Sequence, residues 1–196
     1  MTNQTCINKK KFLKIGITGG TGSGKTSVCK HLRYKGFQVI DSDAIARTIL
    51  EKDSDAYNVV VSHFGESILK SNGEINRKDL GSIVFDSPED LNFLQSVVTK
   101  KTVESVINIF DTIVPEKKMI FLDAPILFEV GLDKYVDMVW MVLAPRDQRM
   151  NRLAKRDGIS DYEIEKRMAA QMPEEKKQKL SDIIILNDGT LDELHL

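Results

Sequence analysis

The chain has 196 residues, of which 41% are hydrophobic, and 28 basic against 29 acidic side chains give a net charge of −1. That length and apolar content suit one α/β domain with a sizeable core and room for a small inserted subdomain. The near-neutral balance excludes a global field that recruits nucleic acid, no apolar run approaches the ~20 residues of a membrane span, and two cysteines, Cys6 and Cys29, make no disulfide framework.

Cys29 is expected to be a small buried residue, and this cysteine usage suits a reducing cytosol. A cytoplasmic monomer with no membrane and no nucleic-acid partner is therefore expected. Met1 to Lys11 is polar and basic with no hydrophobic stretch for a signal peptide, so residues 1–13 read as a mobile tail.

In chain order, Lys14-Ile-Gly-Ile-Thr18 reads as a short buried strand. Gly19-Gly-Thr-Gly-Ser-Gly-Lys-Thr26 follows it and fits G-x-x-x-x-G-K-[ST], the phosphate-binding loop, without mismatch. Ser27 to Lys35 reads as a helix closed by Gly36. Phe37 to Ile40 is the second strand, followed by Asp41-Ser-Asp43 and a helix from about Ala44 to Leu50. Asp53 to Phe64 has a helical period ending at Gly65, and Asn72-Gly73 is a turn. A helix runs from Asn76, its cap, to Phe85. Another starts at Ser87, with Pro88 in its first turn and Asp90 as a capping-box variant, and continues to about Ile113. Lys118 to Leu122 and Asp137 to Leu143 are the third and fourth strands. Ala144-Pro145 precedes a charged helix from Arg146 to Arg156. Asp161 to Ala170 is a helix capped by Ser160, Asp182 to Leu186 the last strand and Asn187-Asp-Gly189 its turn. Leu191 to Leu196 looks like one turn of a helix.

Five short apolar strands separated by helices predict an α/β fold with a doubly wound parallel sheet and helices on both faces. The strand-free stretch from about Asp53 to Ile113 predicts a helical subdomain at the sheet's C-terminal edge, where ligands bind in such folds.

The loop carries the first chemistry. Gly20, Gly22 and Gly24 let the backbone wrap a phosphate, with Ser23 between them and Ser27 in the first turn of the helix. The helix N-terminus adds partial positive charge there. Lys25 reaches the β- and γ-phosphates of a nucleoside triphosphate, and the Thr26 hydroxyl can ligate Mg²⁺. Asp41 and Asp43 end strand two beside this loop. Asp41 reads first as a helix cap and Asp43 as a carboxylate that orients and deprotonates an acceptor hydroxyl. Met119 to Asp123 has the shape of a Walker B strand, so Asp123 either holds Mg²⁺ through water or merely ends a buried strand. Glu129 either lines the same rim or is a solvated loop charge.

Arg146, Arg149, Arg152 and Arg156 fall on one helix face, where like charges repel by roughly 0.2–0.5 kcal/mol per pair. An anion such as triphosphate explains the stripe, with Arg152 and Arg156 leading. The alternative is a solvated face paired with acids from elsewhere. Asp147 and Asp157 do not face the stripe fully. Glu174 to Lys179 mixes signs and reads as a solvated face. His31, His63 and His195 have no metal-ligand spacing and read as structural or surface residues.

Together these pieces resemble the dephospho-CoA kinase family over nearly the whole chain, from about Lys14 to Asn187. They are Ile17 to Thr26, Val39-Ile-Asp-Ser-Asp-Ala-Ile-Ala-Arg47, His63-Phe-Gly65, Gly73-Glu-Ile-Asn-Arg77 with Leu80 and Val84-Phe85, Asp123-Ala-Pro-Ile-Leu-Phe-Glu129, Arg152 with Lys155-Arg-Asp157, and Asp182 through Asn187 to Gly189. The D-S-D-x-I-A-R run is the most specific of them. The resemblance implies a P-loop kinase domain over 14–196, with an acceptor-binding subdomain near 53–113 and a lid near 146–170. It implies transfer of the γ-phosphoryl of ATP to the ribose 3′-hydroxyl of dephospho-CoA, with Mg²⁺. Asp43 matches the catalytic carboxylate, Lys25 and Thr26 hold phosphates and Mg²⁺, and Arg152 and Arg156 match lid arginines. Asn187 is implied at the nucleotide, and Arg77, Leu127 and Glu129 at the acceptor. Relatives often carry His-Pro where this chain has Thr99-Lys100, so Thr99 or Lys100 must take that place. The alternative is a nucleoside or nucleoside monophosphate kinase of similar fold. A GTP-dependent switch is disfavoured, because no N-K-x-D follows a late strand.

Overall fold

In the computed structural model, which describes residues 12–190, Leu13–Gly19 forms β1 at the centre of a five-stranded sheet. The other strands are β2 (Gln38–Asp41), β3 (Met119–Asp123), β4 (Met138–Leu143) and β5 (Ile183–Leu186), ordered β2-β3-β1-β4-β5. β1 runs parallel to β3 with Ile17 opposite Asp123, and parallel to β4 with Gly19 opposite Val142. β5 runs parallel to β4 at the other edge. Parallel neighbours need crossovers, and helices supply them. The carboxyl ends of β1 and β3 therefore share one edge, which places the glycine-rich loop and Asp123 together.

The chain divides into two compact units, Asp41–Thr112 and the remainder. In the sheet unit, Ile15, Ile17, Val28, Cys29, Phe121 and Val142 form a buried cluster, which Trp140 and Phe37 flank. Phe121 meets Phe37 and Trp140 edge-on at ring-centroid distances of 5.4 and 5.3 Å, an arrangement aromatic quadrupoles favour. Val28 and Cys29 are the buried face of α1 (Lys25–Tyr34). The same unit carries α6 (Arg146–Asp157), α7 (Asp161–Ala169) and α8 (Glu174–Leu180). Ser160 and Glu163 close a reciprocal capping box on α7, as the Ser160 position predicts.

The helical unit holds α2 (Ser42–Thr48), α3 (Asp55–Phe64), α4 (Arg77–Asp86) and the 25-residue α5 (Pro88–Thr112). Its core is Tyr57, Val60, Ile68, Ile75, Leu80 and Val84, against which Leu94 and Val97 of α5 pack. Asn76 caps α4 by accepting from the Lys78 N–H, and the Asp90 N–H donates to the Ser87 hydroxyl at the start of α5. His63 stacks on Phe93 at 3.8 Å and bonds Asp90 at 2.9 Å, a structural role. Among the described residues no helix is long and apolar enough to cross a membrane.

Several boundaries differ from expectation for local reasons. α1 starts at Lys25 rather than Ser27, because Gly24 in the left-handed region (φ 94°) ends the loop two residues earlier. α3 starts at Asp55 rather than Asp53, since Ser54 caps it by accepting from the Tyr57 N–H. Asp53 itself has φ 67°. Asp41 is the cap of α2, accepting from the Ala44 N–H at 2.9 Å. The stretch 174–179 is a helix, α8, and not a solvated face throughout. Lys177 is buried there, and Glu174 pairs with Arg149. Opposite charges from elements distant in sequence neutralise both, which lets them leave water. The expected terminal segments, Met1 to Lys11 with Cys6, and Leu191 to Leu196 with His195, lie outside the described residues.

Leu127 packs against β1 at Gly16, where an added Cβ would come within 2.6 Å of its Cδ1. Leu127 is fully buried, so it has little room to retreat. Gly16→Ala is expected to destabilise the fold by about 1–3 kcal/mol through overpacking. Chemical denaturation checks this, and an unchanged midpoint and slope would contradict it.

Candidate nucleotide and acceptor sites

The loop after β1 turns twice through backbone that only glycine takes easily, at Gly22 (φ 83°) and Gly24 (φ 94°). Crowding makes the same demand. A Cβ on Gly24 would collide with the Asn187 side-chain amide, and one on Gly20 would meet the Arg149 guanidinium at 2.5 Å. α1 starts from Gly24 with no side-chain cap and no acid in its first turn. Its first turn thus brings no acid of its own to compete for the N-terminal amides and their partial positive charge. The Ser23 hydroxyl is buried and has no hydrogen-bond partner. Buried polar atoms are rarely orphaned. A phosphate oxygen entering the loop supplies the acceptor that such a donor lacks.

Lys25, the first residue of α1, pairs with Asp123 at the end of β3. Both are mostly withdrawn from water. Thr26 is exposed in the same first turn. One turn further, burial, with Asp123 as the second cause, pushes the Cys29 thiol up to about 12. It stays neutral and is no nucleophile at neutral pH.

The arginine stripe of α6 splits four ways. Arg149 is buried. It donates from Nε to the Thr21 carbonyl at 2.9 Å and pairs with Glu174. Burial, and then the neighbouring Arg146, lower its pKa from the usual arginine value. Arg152 bonds the Asn187 carbonyl at 3.2 Å and Gln148 at 3.1 Å, and reaches the Ser23 carbonyl at 3.5 Å. Arg146 pairs with Glu165 across to α7. Arg156 forks onto Asp157 at 2.7 and 3.0 Å, so Asp157 does face the stripe, contrary to expectation. Both nitrogens of the fork reach the carboxylate of the next residue, which ends α6. The Asp157 bond, which outweighs burial, raises the Arg156 pKa. Arg167 is the second cation on Asp157, at 2.8 Å.

The loop is also held from outside. Gln171 accepts from both the N–H and the hydroxyl of Thr21 at 3.0 Å. Asn187, 7% exposed, donates from its amide to the Ser23 carbonyl at 2.7 Å. In the sequence Arg149 ranks behind Arg152 and Arg156, Glu174 and Lys177 read as part of a solvated face, and nothing singles out Gln171. Gln171 leaves no signal in the sequence, since its partner Thr21 lies 150 residues away. Lys177 had a weak one, because it is followed three residues later by Leu180 on the same face of α8.

Leu127 is fully buried and packs against β1 at Gly16. Glu129 is not a solvated loop charge. It accepts from Lys177 at 2.7 Å and from the Met172 N–H at 2.9 Å. Lys177 also donates to the Pro125 carbonyl at 2.8 Å. Burial works to raise the Glu129 pKa, yet these hydrogen bonds outweigh it and hold the carboxyl below its ordinary value.

The helical unit holds the remaining candidates. Asp43 is exposed in the first turn of α2, and Arg47 lies one turn later in the same helix. Arg77, the first residue of α4, donates to the Arg47 carbonyl at 2.6 Å. Thr99 is half-buried and Lys100 exposed midway along α5. Arg47 and Arg77 thus meet where α2 ends and α4 begins, Asp43 lies one turn before Arg47, and Thr99 belongs to a different helix of the unit.

Comparison with known proteins gives a consistent result. A protein-family model described as dephospho-CoA kinase matches residues 13–193. A dephospho-CoA kinase of Fusobacterium nucleatum is 40% identical over 182 residues, covering 92% of this chain and 92% of that protein. One from Streptococcus pneumoniae is 36% identical over 180 residues, covering 92% and 90%. Among solved structures, a dephospho-CoA kinase from Campylobacter jejuni is similar with a TM-score of 0.69 and 27% identity, covering 93% of this chain and 91% of that one.

The Glu129 geometry yields a pH test. A carboxylate whose folded pKa lies below the ordinary 4.5 adds stability that is complete above that value and is lost as pH falls through the folded pKa. Glu129→Gln is expected to be less stable than the parent at pH 7, with the gap closing as pH drops below about 4.5. Denaturation midpoints at pH 7 and at pH values on either side of 4.5 check this. A gap that is constant or widens in acid would contradict the assignment.

Proposed function

The chain belongs to the dephospho-CoA kinase family, and from that premise we propose that it transfers the γ-phosphoryl of ATP to the ribose 3′-hydroxyl of dephospho-CoA, giving coenzyme A and ADP. One observation within the chain supports this most. The loop Gly20–Gly24 leads into an uncapped helix N-terminus carrying Lys25, a cradle built for phosphate oxygens.

In this reading the loop amides and Lys25 hold the β- and γ-phosphates. Lys25 moves from Asp123 to the phosphates as they arrive. Ser23, Ser27 and Asn187 line the nucleotide side, and Asn187 keeps the loop in shape through the Ser23 carbonyl. Asp43 accepts the proton of the 3′-hydroxyl as that oxygen forms its bond to the γ-phosphorus. The bond from the γ-phosphorus to the bridging oxygen breaks, and its electron pair leaves on ADP. Arg152 and Arg156 close over the charge that develops on the transferring oxygens. For Arg156 this requires exchange of Asp157 for phosphate, the geometry of a lid that closes on its ligand. Arg77, Thr99, Leu127 and Glu129 serve the acceptor side.

Among the described residues no group of three or more histidines, cysteines or acids is gathered to hold a metal ion. The oxygen donors present suit Mg²⁺, which keeps most of its waters and binds through few protein ligands plus substrate phosphates. Thr26 would hold it directly and Asp123 through water, and it would neutralise charge on the β- and γ-phosphates. The reading includes a cytoplasmic monomer without a membrane or nucleic-acid partner, in keeping with the near-neutral charge.

Asp43→Asn is expected to leave ATP affinity nearly intact and lower turnover by ~10²–10⁴-fold, the contribution of a positioned proton acceptor. Steady-state ADP release and nucleotide titration check both halves, and near-parental turnover would exclude Asp43 as the base. An acceptor panel completes the test. Preference for nucleosides over dephospho-CoA would overturn the assignment of substrate.

A further inference from the structure

A glycine-rich loop holds phosphate only when its amides point into the cradle. In a planar trans peptide the N–H points opposite to the carbonyl that precedes it. No peptide bond among the described residues is cis. A side chain that grips a loop carbonyl from outside therefore turns the next amide inward. Two loop carbonyls are gripped in this way. The Ser23 carbonyl accepts from Asn187 at 2.7 Å, with Arg152 reaching it at 3.5 Å, and this turns the Gly24 N–H inward. The Thr21 carbonyl accepts from Arg149 Nε at 2.9 Å, and this turns the Gly22 N–H the same way. The preceding peptide is fixed in the opposite sense. Gln171 takes the Thr21 N–H at 3.0 Å, and the Gly20 carbonyl accepts from the Ser23 N–H at 3.0 Å.

Arg149 is placed to hold its carbonyl firmly. Two nitrogens of its planar guanidinium are engaged, one on Thr21 and one on Glu174, so the group cannot pivot about a single bond. The loop lies against α6 without a gap here. A Cβ on Gly20 would come within 2.5 Å of an Arg149 terminal nitrogen, and one on Gly22 within 3.0 Å of the Arg149 carbonyl oxygen. Glu174 is fixed in turn. It opens α8, and one turn later Lys177 is buried against Glu129 and the Pro125 carbonyl. Contacts thus run from the segment after β3, through α8 and α6, to one peptide of the loop. A buried ion pair is weak ground for stability. Its position on the loop gives this one a different purpose.

We propose that Arg149, locked by Glu174, is a positioning residue that turns the Thr21–Gly22 peptide so that the Gly22 N–H donates to a phosphate oxygen of the nucleotide. Arg149 acts through the loop backbone and touches no reacting atom. The inference rests on the reading of the loop as a nucleotide site and extends that reading to a pair far away in sequence, since Arg149 lies 128 residues from Thr21. Glycine at position 22 is what makes the grip necessary. Its backbone is free to turn, and a reversed peptide would present the Thr21 carbonyl to the phosphates instead of an amide.

The test is amide NMR of the nitrogen-15-labelled chain, titrated with Mg-ATP, together with steady-state kinetics. In the parent the Gly22 and Gly24 amide protons are expected to move downfield as they bond phosphate. The double variant Arg149→Met/Glu174→Leu replaces the pair with apolar side chains of similar size, a change that leaves stability close to the parent. It is expected to lose the Gly22 response, keep the Gly24 response, and raise the KM for ATP roughly tenfold while the KM for dephospho-CoA stays at the parental value. Arg149→Lys keeps the charge and the pairing with Glu174 but lacks the planar fork. It is expected to lose the Gly22 response as well, and it serves as the test if the double variant does not fold. A parental Gly22 response in either folded variant would overturn the proposal. So would joint loss of the Gly22 and Gly24 responses, which marks a loop damaged throughout. If Mg-ATP moves neither amide in the parent, the nucleotide reading of the loop falls and this proposal with it.

Discussion

The structure around the nucleotide loop depends on one constraint: the backbone polar groups on the outside of the loop are bonded by side chains from the last third of the chain. Gln171 takes the Thr21 N–H, Arg149 the Thr21 carbonyl, and Asn187 the Ser23 carbonyl. A glycine-rich loop is entropically costly to order. These bonds fix it without occupying the α1 terminus, which no side chain caps. The electrostatic preorganisation that phosphoryl transfer relies on is set in this way before any ligand arrives.

The same region shows how charge is carried into a low-dielectric interior. Arg149 is buried with Glu174, Lys177 with Glu129, and Lys25 with Asp123. Each partner comes from a distant element, so every pair also ties two elements of the sheet unit together. Removing one partner of such a pair costs more than the pair itself contributes, because a charge is left buried alone. Lys177 and Glu129 link α8 to the segment after β3, and Arg149 and Glu174 link α6 to α8. The Lys25–Asp123 pair differs in kind. It joins the two groups that the kinase reading assigns to phosphate and to metal.

Much of this was legible in the sequence. The glycine pattern before Lys25 marked a tight loop between β1 and α1, and Gly22 and Gly24 take the left-handed backbone it calls for. Asp41, Asn76, Ser87 and Ser160 were readable as helix starts because capping is a local hydrogen bond between residues two or three apart. The parallel sheet followed from short apolar strands alternating with helices. What was not legible depends on contacts between distant residues. The mixed-sign run of α8 looks solvated until Arg149 and Glu129 are placed beside it. The arginine stripe looked uniform, yet its members face four different partners, because a helical repeat specifies a direction and not what waits there. Leu127, implied at the acceptor, is a core residue packed where β1 has only a glycine.

The central claim is that the loop at Gly20–Thr26 is the donor half of a phosphotransferase whose acceptor is the dephospho-CoA ribose. Phosphorus NMR of the purified chain with Mg-ATP and dephospho-CoA tests this most directly. The account predicts a new phosphomonoester resonance on the acceptor that grows in step with ADP. Formation of ADP with inorganic phosphate alone, or no ADP above a control lacking acceptor, would contradict it.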